Sequence, residues 1–75
     1  GKWRVQLGAF GVAANADTLW AKARARPELS GHPRLDVRAG KVIKRQAAGF
    51  ASREAASAAC AALGKGGLPC LPVEN

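Results

Sequence analysis

The chain writes one phrase twice. Residues 3–10 read WRVQLGAF and residues 43–50 read IKRQAAGF. A shift of 40 places lays Gln6 on Gln46, Phe10 on Phe50, Ala16 on Ala56 and Trp20 on Cys60 without a gap. Matches between alanines weigh little in so alanine-rich a chain; the coincidence of Gln, Phe and two helical stripes weighs more. A chain of 75 residues is one small domain, and at that size it buries only about 60–65% of the surface its unfolded form exposes. The repeat therefore predicts a pseudo-twofold unit in which both halves share one sheet.

Each half reads as a strand followed by a helix. Residues 3–8 alternate, with Trp3, Val5 and Leu7 to one side and Arg4, Gln6 and Gly8 to the other, the pattern of a half-buried strand. Gly8-Ala9-Phe10-Gly11 breaks it. Ala16, Leu19, Trp20 and Ala23 form one apolar helical stripe, with Asp17 near its start and Lys22, Arg24 and Arg26 near its end, as the helix dipole favours. Pro27 stops this helix, and PELSGHP is a loop. RLDVR at 34–38 alternates again, and Ala39-Gly40-Lys41 turns the chain into VIKRQAA at 42–48 as a hairpin. Gly49-Phe50 closes that strand. Ser52 is an N-cap with Glu54 in the first turn, Ala56, Ala59, Cys60 and Leu63 make the second stripe, and Gly64 is the expected stop. The last strand, LPCLPV at 68–73, holds two prolines, which suits a sheet edge.

The expected fold is α+β, a β-α-β-β-α-β sandwich over residues 3–73, ferredoxin- or RNP-like, with a four-stranded antiparallel sheet and both helices on one face. If Val5 and Leu7 pack on the helices, then Arg4, Gln6, Gly8, Lys44, Gln46 and Ala48 fall on the uncovered face. Arg45 disobeys this pattern. It occupies the place matched by buried Val5, and a buried unpaired arginine is costly. Either its strand lies near an edge and the side chain snorkels to water, or the register shifts there.

Composition narrows the function. Twelve Lys and Arg against five Asp and Glu give a net charge of +7, which favours an anionic partner. No apolar run approaches the roughly 20 residues of a membrane span, so no membrane insertion by this domain is expected. The start at Gly1-Lys2-Trp3 points to a domain cut from a longer protein. Cys60 and Cys70 are compatible with a disulfide and an oxidising compartment, the favoured reading, or with two buried thiols. Catalysis has little to stand on. His32 reads as an exposed loop residue, the carboxylates are scattered, the cysteines lack the repeated pairs of a zinc site, and GKGG at 64–67 lacks the spacing of a phosphate loop. A binding domain without metal or cofactor follows.

Two partners suit an open sheet face. An RNA-binding module of the RRM type has this topology and stacks bases on aromatics of its central strands. Here the displayed positions carry none; Phe10, Phe50 and Trp20 read as core, and only Trp3 could be argued outward. Glycan is the other. Gln side chains donate and accept, matching hydroxyls and N-acetyl amides, and small residues such as Gly8 and Ala48 admit a bulky strand.

WRVQLGAF, the Ala16–Trp20 helix, and RQAAGFASREAASAACAAL with LPCLPV resemble the SPOR domain of bacterial cell-envelope proteins. The resemblance spans residues 3–73. Its most specific parts are V-Q-x-G-x-F at Val5–Phe10 and A-x-F-x-S-R-x-x-A at Ala48–Ala56. Ala48, Gly49 and Arg45 depart from the usual Gly, Pro and apolar residue. The resemblance implies a monomeric, non-catalytic module of the periplasm or cell envelope. It would bind peptidoglycan glycan strands denuded of stem peptides and bring a parent protein, such as an amidase, carboxypeptidase or division protein, to the wall or septum. No nucleic acid is expected. On this reading Gln6 and Gln46 bond sugar groups, Arg4 and Lys44 attract lactyl carboxylates, and Gly8, Ala9, Phe10 and Asn15 form one wall of the groove. The resemblance also supports pairing of Cys60 with Cys70.

Overall fold

The computed structural model describes residues 1–74. Strand β1 (Trp3–Phe10) leads into helix α1 (Ala13–Ala23) and a 3-10 turn (Pro27–Leu29). The hairpin β2 (Arg34–Ala39) and β3 (Val42–Phe50) follows, then α2 (Arg53–Lys65) and β4 (Leu71–Glu74). The strands form one antiparallel sheet in the order β2-β3-β1-β4. Both helices pack on one face of it, giving the expected α+β sandwich. Of the two prolines of the last segment, Pro72 sits in the edge strand opposite Val5, where the missing N–H interrupts no inner ladder, and Pro69 precedes the strand.

Between the layers lie Val5 and Leu7 of β1, Ala47 and Phe50 of β3, Ala16 and Ala23 of α1, Ala56, Ala59 and Leu63 of α2, and Leu29. Half of these are alanines, so each adds little apolar burial, and the helices must lie close to the sheet to leave no voids. α2 is capped at both ends. Ser52 Oγ accepts from the Ala55 N–H at 3.1 Å, worth about 1 kcal/mol. The helix runs one turn position past Gly64, however, to Lys65. Gly67 N–H bonds Gly64 O and Leu68 N–H bonds Leu63 O, both at 3.0 Å. This is a Schellman end with Gly67 as the left-handed residue. Because Leu68 finishes the helix, β4 begins at Leu71 and not at 68. α1 has no acid in its first turn; Asp17 lies deeper in the helix and serves another purpose.

Two bulges re-phase the central strands. Trp3 pairs with Phe50 and Val5 with Ala47, so two steps on β1 span three on β3. Gly49, at φ 84°, takes up the extra residue in a conformation that side chains disfavour. The bulge returns Phe50 to the helix side, where it is buried. The displaced peptide groups are not orphaned: Ala48 N–H bonds Pro33 O at 2.9 Å, and His32 Nδ1–H donates to Ala48 O at 2.9 Å. His32 is thus no free loop histidine. Its ring also stacks on Phe50, centroids 3.7 Å apart and 3° from parallel. The second bulge lies between Gln6 and Gly8 on β1.

Arg45 is 2% exposed and does not snorkel; the register does shift beside it, Gln6 pairing with Gln46 but Gly8 with Arg45. Its guanidinium forks onto both carboxylate oxygens of Asp36 on β2. It also donates to Asp17 Oδ1 at 3.2 Å and to the Ala16 carbonyl at 3.1 Å on α1. Burial alone would lower the Arg45 pKa; the hydrogen bonds it donates to Asp36 and Asp17, with their charges, outweigh it and hold it above the usual value. A further ion pair, Arg26 with Glu28, is local. A hydrogen bond from its own backbone holds the Glu28 carboxyl below the usual range against a smaller effect of burial, with Arg26 assisting.

Cys60 of α2 and Cys70 are joined, Cα to Cα 5.0 Å. The bond ties the edge strand β4 to the helix layer.

Two stability predictions follow from these tethers. Asp36→Asn leaves a buried cation short of its main partner. It should cost about 2–3 kcal/mol in urea unfolding, somewhat below the usual range because Asp36 is a third exposed. Arg45→Met removes the charge and keeps the volume, and should cost less than about 1 kcal/mol; the reverse ranking would mean that the cluster itself is net stabilising. Reducing Cys60–Cys70 should cost about 2–3 kcal/mol, and hydrogen exchange should show β4 losing protection before β1 and β3.

Candidate functional site

The uncovered face can be read from the ladder. Residues opposite one another share a face. One row crosses all four strands as Leu35, Gln46, Gln6 and Leu71. Arg4 and Val73 flank it on one side; Ala9, Lys44 and Val37 flank it on the other. Val5, Leu7, Arg45 and Ala47 occupy the opposite, helix-covered face. Both glutamines therefore lie on the open side, as expected.

The pseudo-twofold axis explains why there are two. In an antiparallel pair related by such an axis, only the residue on the axis meets its own copy. That residue is Gln6, directly opposite Gln46. Gln46 Nε2–H donates to Gln6 Oε1 at 3.1 Å. Gln46 is only 2% exposed despite its open face, because Gln6 and Leu35 stand directly on either side. Its Oε1 is buried without a partner. The pairing leaves the Gln6 NH2 group free to donate outward. Arg4 and Lys44 make no ion pair among the described residues, and the Arg4 Nε is likewise buried and unpartnered. No carboxylate lies on this face among the described residues: Asp36 is held by Arg45 on the far side, and Glu74 pairs with Trp3. The surface is a donor-rich, cationic strip edged by aliphatic side chains. Leu71 is 59% exposed.

The structure brings Arg4, Gln6, Ala9, Lys44 and Gln46 together on this face, and it moves three residues off it. Gly8 was expected on the open face, but the bulge beside it turns it to the helix side. A Cβ there would lie 2.7 Å from the Phe10 ring and 3.7 Å from Leu19 of α1. Its smallness admits Phe10, not a ligand. Phe10 follows it to the helix side, half-buried. Asn15 stands exposed on the first turn of α1, in the helix layer. Sequence reasoning missed the aliphatic edge of Leu35, Val37, Leu71 and Val73. The signal for β2 was available: a buried Arg45 needs a carboxylate, Asp36 is directly opposite on the neighbouring strand, and that places Leu35 and Val37 outward. Among the described residues no three His, Cys, Asp or Glu side chains are grouped to hold a metal ion.

The sequence profile of the SPOR domain matches residues 1–74, and the chain belongs to that family. Its fold is similar to the solution structure of the peptidoglycan binding domain of the B. subtilis cell wall lytic enzyme CwlC. The TM-score is 0.76 and identity 29%, over 97% of this chain and 87% of that one. It is also similar to the crystal structure of the RlpA SPOR domain from Pseudomonas aeruginosa, with TM-score 0.75 and 17% identity, over 97% and 99% of the two chains. No curated protein matches the chain by sequence.

The amide pair makes a stability prediction that separates its structural role from its binding role. Gln6→Ala strands the Gln46 amide and should cost about 1–2 kcal/mol. Gln6→Leu with Gln46→Leu replaces both partners by apolar groups and should be close to neutral. Thermal unfolding of the two variants checks the order.

Proposed function

We propose that the open face binds the glycan strands of peptidoglycan without catalysis, as a monomeric module that holds a parent protein to the bacterial cell wall in the periplasm. The observation that carries this reading is the hydrogen-bonded Gln6–Gln46 pair between Arg4 and Lys44 on a face without a carboxylate among the described residues. Membership of the SPOR family and the likeness to a peptidoglycan binding domain at 29% identity support it.

The same chemistry favours strands stripped of their stem peptides. Removing a stem leaves a lactyl carboxylate on each muramic acid, and the strand becomes an anionic ribbon rich in hydroxyls and N-acetyl groups. Arg4 and Lys44 complement the carboxylates; the free Gln6 amide complements the neutral groups. Such strands arise where amidases act, which would concentrate the parent protein at the division septum. The RNA reading lacks its stacking platform. Trp3, Phe10 and Phe50 face the helix layer, Trp20 lies on α1, and base stacking is the main source of affinity for a sheet of this type.

In a pull-down with sacculi, amidase-treated wall should retain the domain about tenfold better than untreated wall. The Gln6→Leu, Gln46→Leu variant should lose retention while staying folded. Raising salt should weaken binding, since exposed charges are screened. Equal retention by both walls would end the stripped-strand preference, and undiminished retention of the double variant would remove the open face from the site. Retention of single-stranded RNA in place of wall would favour the alternative.

A further inference from the structure

The geometry points to a second ligand site, on the helix side of the molecule, that takes a small oxyanion. It is a cleft of about 440 Å³ between α1 and the loop that leads into β2. Trp20 of α1 and Arg24, which caps that helix, line one wall; Ser30, Gly31, His32 and Arg34 line the other. Its volume is within the range of small-molecule sites. It shares no residue with the open face and does not rest on the reading of that face.

The chemistry of the lining is one-sided. Arg24, Arg34 and the Trp20 indole can only donate hydrogen bonds, and no carboxylate lines the cleft. Neither arginine has a hydrogen bond or ion pair among the described residues. The reason lies in the buried cluster beneath. Asp17 and Asp36 are the acids on the two flanking elements, and Arg45 engages both. Glu28 is engaged by Arg26. The cleft is left with uncompensated positive charge on both walls. The hydroxyl of Ser30 and the amide of Gly31 add neutral donors; neither has a partner among the described residues.

One wall is also held in place before any ligand arrives. The Ala48 carbonyl accepts from His32 Nδ1–H. That bond holds one edge of the ring, and stacking on Phe50 fixes the ring plane. Preorganised walls reduce the ordering cost of binding. The ligand that fits is a carboxylate or phosphoryl group on a compact carrier, with the anion between the arginines and the carrier against the indole. On a cell wall such groups occur as muramic lactyl carboxylates and as polymer or lipid phosphates.

The test is amide and indole shift mapping of the ¹⁵N-labelled domain with three probes: glycerol 3-phosphate, N-acetylmuramic acid and the neutral N-acetylglucosamine. At least one anion should move the Trp20 indole and the Gly31 and Arg34 amides, leave the Trp3 indole still, and do so equally in the Gln6→Leu, Gln46→Leu variant. Which anion acts identifies the source. Arg24→Gln with Arg34→Gln removes exposed, unpaired side chains and should leave the spectrum folded. It should weaken the anion about tenfold while leaving the signals of the Gln6–Gln46 face unmoved. The site is overturned if neither anion moves these signals, if the neutral sugar moves them equally, or if the anion response survives the double arginine substitution.

Discussion

Arg45 is the constraint on which the rest of the structure depends. A guanidinium with so little exposure must find carboxylates and carbonyls, and it finds them on three elements: Asp36 of β2, and Asp17 and the Ala16 carbonyl of α1. That choice fixes more than local packing. By drawing Asp36 to the helix side it sends Leu35 and Val37 outward, so the open face acquires its aliphatic edge. By engaging both nearby acids it leaves Arg24 and Arg34 uncompensated on one surface, and it keeps carboxylates away from Arg4 and Lys44 on the other. An apolar residue in its place would pack as well, and buried ion pairs often yield to such replacements without loss. What it would not do is sort the charges.

The symmetry of the two halves is broken where it matters. Strict repetition would place Gly8 and Ala48 alike on the open face. Each central strand instead carries its own bulge, one step out of register with the other. On β1 the bulge turns Gly8 inward under the Phe10 ring; on β3 it leaves Ala48 outward and hands its peptide groups to His32 and Pro33. The axis itself survives between the bulges, and there the two glutamines meet. An amide pair across an antiparallel ladder satisfies one donor and one acceptor and leaves one of each over. One leftover group is buried and one is free, so the pair is rigid on its inner side and reactive toward a ligand on its outer side.

These features explain what could be read from the residues alone and what could not. Element order, the faces of Gln6 and Gln46 and the Ser52 cap follow from periodicity and from one well-placed hydroxyl, which are local signals. The position of Gly8 does not, because a bulge adds one residue to one strand and its only local trace is a glycine, which a turn would explain equally well. The end of α2 was ambiguous for the same reason: Gly64, Gly66 and Gly67 all suit a left-handed cap, and only the carbonyls left free at Leu63 and Gly64 select Gly67. Arg45 was visible as an exception, and its resolution needed contacts 9 and 28 residues away. Of the candidate site, the central amides and cations were legible; the wall assigned to Gly8, Phe10 and Asn15 was not, since it assumed that the strand ran on without a bulge.

The bulge on β3 places one peptide between the two sides of the sheet. The sheet is a single layer, and the bulge at Ala48–Gly49 touches both sides. Its carbonyl anchors His32 beside the rear cleft, while Ala48 itself lies on the open face next to Gln46. A ligand that pressed on the open face at Ala48 would act on the same peptide that orients His32.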